Sequence, residues 1–362
     1  MGRNAKNARG RTGMPPAAAH GFKVVAIGGG TGLSTLLKGL KRFVIPPGAA
    51  PPPHPFISQL SAVVTVSDDG GSSGKLRKEF NVLAPGDIRN CIVALSEDEA
   101  LLSRLFQFRF GGRSALAGHS FGNLFLTALN EMTGDFGTAV KLSSAVLKTR
   151  GTIFPATTAN AQLEARMEDG ARVRGESRIS ASAQRVVELR MIPKHAPPLP
   201  QTLQAIAHAD LITVGPGSLF TSLICNLLVR GIPEAISASH ALKVFVCNLM
   251  TEANESLSLS AADHIRTVYQ HAGRAIFDCA LFNGQRLSKR LTAKYALEGA
   301  CQIAVDVHKI RALGVTPVVG DFLAEDGVAR HAADRVAAEL MRLLIERRAH
   351  AGAAGATHAA ER

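Results

Sequence analysis

The sequence predicts an α/β protein, a Rossmann-like, mainly parallel and doubly wound sheet with a small β insertion. Three observations predict it. Strand-length apolar runs recur along the chain, leucines at helical spacing follow the first of them, and glycine loops join strand to helix. Apolar residues make up 46% of the 362 and charged residues 19%, enough for a packed core and too apolar for a disordered chain.

Residues 1–20 are rich in Gly, Ala, Pro and Arg and read as a disordered basic tail. A single folded domain is expected over 21–350. Its first strand, Phe22 to Ile27, is apolar almost throughout, as a strand covered on both faces must be. Glycines follow, then Leu33, Leu36, Leu37 and Leu40 at helical spacing. The Pro-rich stretch 45–55 can be neither helix nor central strand and reads as a surface loop. A second strand is expected over Ser61 to Ser67, and helices over 87–109 and 121–132. The region 152–192 changes to β-branched and polar alternation around Glu168-Asp169-Gly170, a hairpin-turn signal, and reads as the insertion. After Pro197, Pro198 and Pro200 come four more buried-type strands: DLITVG, KVFVCNLM, AIFDCALFN and PVVGDFL. A final helix over 333–348 carries the stripe Val336, Leu340, Leu343 and Leu344, and 351–362 reads as a disordered tail.

The net charge of +12 is partly terminal, with Arg3, Lys6, Arg9 and Arg11 unopposed by any acid in the first 20 residues. The remainder suits an anionic small ligand better than a nucleic-acid groove. Trp is absent and Tyr occurs twice, which leaves few stacking platforms for single-stranded nucleic acid. The five cysteines are far apart with no CxxC pair, so buried reduced thiols in a cytoplasmic protein are expected. No run of 18 apolar residues predicts a membrane span, and no apolar run behind the basic N-terminus predicts a secretory signal. A homodimer is compatible with the sequence and not specified by it.

In parallel sheets ligands bind beyond the carboxyl ends of the strands, where strand order switches. After strand one comes GGGTGLS, Gly28 to Ser34, with Gly29, Gly30, Thr31 and Gly32 at the turn. Glycines let backbone approach a phosphate, and a helix N-terminus adds N–H groups. The loop matches neither GxGxxG, because Leu33 takes the third glycine position, nor a Walker A loop; a tight turn is the plainer reading. After strand two comes SDDGGSSGKLR. Asp68 and Asp69 could hold Mg²⁺, a ribose or a ring N–H, and Lys75 and Arg77 could meet phosphate; the alternative is a polar turn with a capping Asp. Asp87 either caps a helix or shares a helical face, and a ligand, with Asn90. His119, Ser120 and Asn123 start another helix, where His119 could exchange hydrogen bonds with substrate and Ser120 could simply cap. Gly215, Gly217 and Ser218 offer a second anion cradle or a second tight turn, and Asn248, Thr251 and Glu252 belong to the same sheet edge. No G-x-S-x-G elbow supports a hydrolase triad.

The strings IGGGTGLSTLLKGLK (27–41), VTVSDDGGSSGKLR (64–77), PGDIRNCIVAL (85–95), GHSFGNLFLTAL (118–129), GPGSLFTSLICNLL (215–228) and VCNLMTEANES (246–256) together resemble the CofD-like proteins, and within them the YvcK branch. The resemblance implies a Rossmann-like core and two readings. In the YvcK branch it implies a cytosolic factor that binds UDP-sugars and supports cell shape, wall synthesis and growth on gluconeogenic carbon sources. In the CofD branch it implies a Mg²⁺-dependent transfer of a 2-phospholactyl group onto a deazaflavin, with the acceptor contact falling on Asp68 or Asp69. The SDDGGSSG loop looks like the YvcK branch. Under that reading Gly29 to Gly32 and Gly215 to Ser218 hold a diphosphate, while Asp68, Asp69, Asp87, Asn90, His119 and Asn123 line the sugar or nucleoside. No firm cofactor follows; Mg²⁺ belongs to the transferase reading. A third class is a partner-binding protein whose site is vestigial. One departure is clear. The branch usually reads TQPGET where this chain has Thr251-Glu252-Ala253-Asn254-Glu255-Ser256, so a Pro-Gly turn is lost and a carboxylate replaces a neutral amide. A diphosphate touching that loop should bind more weakly.

Overall fold

The computed structural model describes residues 21–46, 48–97, 101–182, 184–252 and 255–360, with backbone alone for 352–360. The basic tail read at 1–20 lies outside the described residues.

The chain opens with β1 (Phe22–Gly28) and α1 (Gly30–Lys41). Leu33, Leu36, Leu37 and Leu40 are all buried, and fully burying each contributes about 2 kcal/mol. Next come β2 (Ile57–Val64), α2 (Gly71–Phe80), α3 (Gly86–Leu95), α4 (Leu101–Gln107), α5 (Phe121–Thr133) and α6 (Phe136–Val146). Two expectations shift here. β2 begins and ends earlier than Ser61–Ser67, which frees Thr65 to Asp69 as the loop above the sheet. The helix expected over 87–109 is two helices, because α3 stops at Leu95 and Ser96 turns to an extended backbone that bridges to Thr149.

β3 (Thr152–Pro155) pairs with β2 as an edge strand of the main sheet, not as part of the insertion expected from 152. The insertion is a three-stranded antiparallel sheet of β4 (Gln162–Met167), β5 (Arg172–Arg174) and β6 (Val186–Ile192), with α7 (Glu176–Ser180) between the last two. The chain returns through α8 (Pro200–Ala207) to β7 (Leu211–Val214). A π-helical stretch, Leu219–Ile224, runs into α9 (Cys225–Leu227) and is followed by α10 (Ile232–Ala238). β8 (Leu242–Val246), α11 (Ala261–Ala272), β9 (Cys279–Asn283), α12 (Lys289–Leu297), α13 (Val307–Ala312) and β10 (Thr316–Gly320) complete the α/β alternation. A short hairpin of β11 (Leu323–Glu325) and β12 (Ala329–His331), unforeseen in the sequence, precedes α14 (Ala333–Ala360), whose backbone stays helical beyond the expected end at 348.

The main sheet has seven strands in the order β10-β9-β8-β7-β1-β2-β3, every pair parallel. Alternate residues of β1 feed two cores. Val24 and Ala26 pack with α1, α3, α5, α6 and α14, while Val25 and Ile27 pack with the insertion, the π-helical stretch, α10 and α11. Strand order runs outward in both directions from the β1–β7 pair. That pair is the switch point, and both glycine loops leave the sheet there. No single helix among the described residues is long and apolar enough to cross a membrane. Four cysteines are buried, whereas Cys301 is exposed, against the expectation for all five.

Candidate functional site

A cavity of about 700 Å³ opens above the β1–β7 switch point. Its floor is the two glycine loops, Gly29 to Gly32 at the start of α1 and Pro216 to Ser218 before the π-helical stretch. These loops touch. A Cβ on Gly32 would lie 2.4 Å from the Pro216 carbonyl oxygen and 2.9 Å from the Gly217 nitrogen, so only glycine lets the backbones meet. Gly30 has φ +62°, a conformation costly for other residues. Behind the floor, Asn226 Nδ2 donates to the Gly28 carbonyl at 3.1 Å and to Ser222 O at 2.7 Å. Asn248 Oδ1 accepts from Gly217 N at 3.3 Å and links β8's end to the second loop.

The walls bring together Asp68, Asp87, Asn90, Ser218, Asn248, Thr251 and Glu252 from the residues singled out in the sequence. Asp87 does not cap its own helix, whose N-cap is Pro85; its carboxylate accepts from the Gly30 N–H of α1 and faces the cavity with Asn90. Desolvation pushes its carboxyl up to about 6; the Gly30 N–H opposes this, Asp68 adds to it, and Arg89 opposes it.

Other expected residues lie elsewhere. Asp69 turns away from its neighbour, and its Oδ1 accepts the Ser177 N–H at 2.8 Å, tying α7 to the strand-two loop. His119 is buried with Nδ1 3.1 Å from Ser72 Oγ. Ser120 caps α5, accepting from Asn123 N at 3.2 Å, and also accepts from Arg89 Nη1 at 2.6 Å. Asn123 is buried off the wall, its Oδ1 without a partner. Gly215 sits below the cavity, where a Cβ would meet Val246 O at 2.5 Å. Arg77 does not reach out for phosphate. It donates inward to Ser67 O, Asp68 O, Ala161 O and Asn160 Oδ1, bracing the loop. Lys75 is exposed on α2, off the wall.

The adjacent aspartates do not form a joint site for Mg²⁺: Asp68 lines the cavity with its Oδ1 accepting from Gly70 N at 2.8 Å, while Asp69 is committed to Ser177, so Asp68 and Asp87 are the aspartates that face the cavity.

The remaining wall was not foreseen. α7 contributes Glu176, whose carboxyl is pushed up to about 7 by desolvation and then by Asp68, Asp69, Glu255 and Asp87. Tyr295 and Glu298 come from the end of α12, and Arg330 and His331 from β12. His331 Nε2 lies 3.0 Å from Cys247 O, and burial pushes it down to about 4, so it is neutral at pH 7. Nothing local marks these residues in sequence; their elements are short and distant from the glycine loops. The altered loop does reach the site. Glu252 lines the cavity, and its Oε1 accepts from Ser218 Oγ at 3.1 Å. Glu255 is buried beside it and accepts from Thr221 Oγ1 at 3.0 Å, from Phe220 N at 3.3 Å and from Ser180 Oγ at 3.3 Å. Ala253 and Asn254, where the Pro-Gly turn is lost, lie outside the described residues.

Residues 24–323 match the family model described as 2-phospho-L-lactate transferase CofD. The chain is 45% identical over 319 residues to the gluconeogenesis factor of Halalkalibacterium halodurans, spanning 88% of this chain and 95% of that protein. It is 42% identical over 325 residues to the gluconeogenesis factor of Bacillus subtilis, spanning 90% and 98%. An X-ray crystal structure of a Bacillus halodurans protein superposes with TM-score 0.83 at 44% identity, over 89% of this chain and all of that one.

Proposed function

The chain belongs to the CofD family, and from that premise we propose that it is a cytosolic nucleotide-sugar-binding factor serving growth on gluconeogenic carbon sources, cell shape and wall synthesis. One observation carries the reading. Both glycine loops, Asp68, Asp87, Asn90 and Asn248 converge on a single cavity at the switch point. Backbone N–H groups of the loops approach a diphosphate, while Asp68 and Asn90 supply an acceptor and a mixed donor and acceptor for sugar or nucleoside hydroxyls. Arg330, exposed at the wall, adds a cation toward the phosphates. The names of the two bacterial relatives support the metabolic part of the reading.

A second reading, 2-phospholactate transfer to a deazaflavin, is favoured by the description of the family model and by Asp68 facing the cavity. The divergence of Asp69, which turns to Ser177 and off the cavity wall, weighs against it. Calorimetric titration tests both: UDP-sugar into one sample, deazaflavin with Mg²⁺ into another. Binding of the UDP-sugar alone is expected. Deazaflavin binding with release of a nucleoside monophosphate would replace the first reading by the second.

A further inference from the structure

The second glycine loop was expected to cradle an anion. In the structure its polar groups already face carboxylates of this chain. Ser218, the loop's hydroxyl, donates to Glu252. The opening N–H of the π-helical stretch, at Phe220, and the Thr221 hydroxyl donate to Glu255. The two carboxylates are three residues apart on one loop and share one helix start. Glu255 is enclosed; desolvation pushes its carboxyl up from the usual carboxylate range, and the three donors from Thr221, Phe220 and Ser180 oppose that shift. Glu252 holds one hydroxyl and faces the cavity.

We propose that Glu252 sets the charge requirement of the second loop: as an acid it donates a hydrogen bond to a phosphate oxygen, and as a carboxylate it excludes that phosphate. A diphosphate ligand then enters with one proton taken from solvent onto Glu252. This rests on the nucleotide-sugar reading and adds its regulation. The position has physical support beyond its contacts. Desolvation, then the neighbouring Glu255, pushes the Glu252 carboxyl up to about 7, so the exchange falls within the physiological range. The groups facing this part of the cavity are Glu255 from the same loop, Glu298 and Tyr295 from α12's end, Arg330 and His331 from β12, and Glu176 from α7. His331 is neutral there, and Arg330 is exposed, so among the described residues lining the cavity no enclosed cation offsets Glu252, while Asp68 and Asp87 add carboxylates on the facing wall.

The test is calorimetric titration of UDP-glucose, and separately of inorganic pyrophosphate, into the wild type and Glu252→Gln at pH 6, 7 and 8. Gln keeps size and hydrogen bonding and cannot ionise. With half-protonation near pH 7, the competent fraction falls from about nine-tenths to about one-tenth between pH 6 and 8, so wild-type affinity should drop roughly tenfold. Glu252→Gln should bind roughly tenfold more tightly than wild type at pH 8 and show a flatter profile. Repeating pH 8 in two buffers of different ionisation enthalpy should count close to one proton taken up by wild type and fewer by the variant. Equal affinity and equal pH slope in the two proteins would overturn the proposal. If pyrophosphate shows the Glu252-dependent slope and UDP-glucose does not bind, the proposal stands and the nucleotide-sugar reading falls. If neither probe binds either protein, both fall.

Discussion

The two glycine loops start from neighbouring strands, β1 and β7, and both lead into helices from the floor of the same cavity. They differ in what meets them. The first receives one carboxylate, Asp87, delivered from α3, a regular ten-residue helix. The second receives two, Glu252 and Glu255, delivered from an irregular loop, and its own helix opens with π-helical geometry. One loop is thus a fixed feature of the core, and the other depends on a segment that can change without disturbing the sheet. A strand, glycine turn and helix in the sequence therefore specify a place for an anion, and the partner from elsewhere in the chain decides which anion occupies it.

The strongest way to break the comparison is to part the loops. Gly32→Val puts a side chain into the Pro216 carbonyl and the Gly217 nitrogen, backbone atoms that cannot swing aside. A loss of about 3 kcal/mol in urea unfolding is expected, together with loss of UDP-sugar binding. Wild-type stability in this variant would mean the loops are not one packed unit. Glu255→Ala attacks the second loop alone. It takes the acceptor from the Phe220 N–H and the Thr221 hydroxyl, and about 2 kcal/mol should be lost. A variant as stable as wild type would show that Glu255 is dispensable there.

Asp87→Asn examines the first loop and should act in the opposite direction. The carboxyl sits at about 6 in the folded chain, against about 3.9 when exposed. Folding therefore favours the protonated form, and ionisation weakens the fold. The penalty is absent below about pH 4, grows between 4 and 6, and is complete above 6. Asp87→Asn should gain about 2 kcal/mol at pH 7.5 and almost nothing at pH 4, measured by denaturant unfolding at both. An equal gain at both values would exclude the ionisation argument. The smallest effect separates the adjacent aspartates. Each loses one backbone N–H contact on truncation, Gly70 for Asp68 and Ser177 for Asp69, so Asp68→Ala and Asp69→Ala should each cost about 1 kcal/mol in unfolding, but only Asp68→Ala should abolish ligand binding. A titration in which Asp69→Ala also loses the ligand would restore the pair as a joint site.

The sheet was readable because β1, β7, β8 and β9 are buried on both faces and leave unbroken apolar runs. Glycine loops and helical leucines then marked the switch point. The floor of the cavity was readable for the same reason. Its far wall was not. β11 and β12 have three residues each, too short for a periodic pattern, yet they deliver Arg330 and His331. Side-chain direction was equally hidden. Asp68 and Asp69 are neighbours in sequence, but one faces the cavity and the other the insertion. His119 looked available for substrate and instead turns inward to Ser72. The Leu95–Ser96 break has no mark in the sequence because helix-compatible residues continue past it; the bridge from Ser96 to Thr149 ends the helix.

The link between Asp69 and Ser177 has one more consequence. The insertion enters the chain between β3 and β7 and leaves the order of the main strands untouched. Its α7 adds Glu176 to the wall over a floor made by other stretches, and it is tied on two sides, by Asp69 on the Ser177 N–H and by the Ser180 hydroxyl on Glu255. The room available to a ligand is therefore shared property: an appended module shapes it without touching strand order, but only through contacts that also steady the second loop.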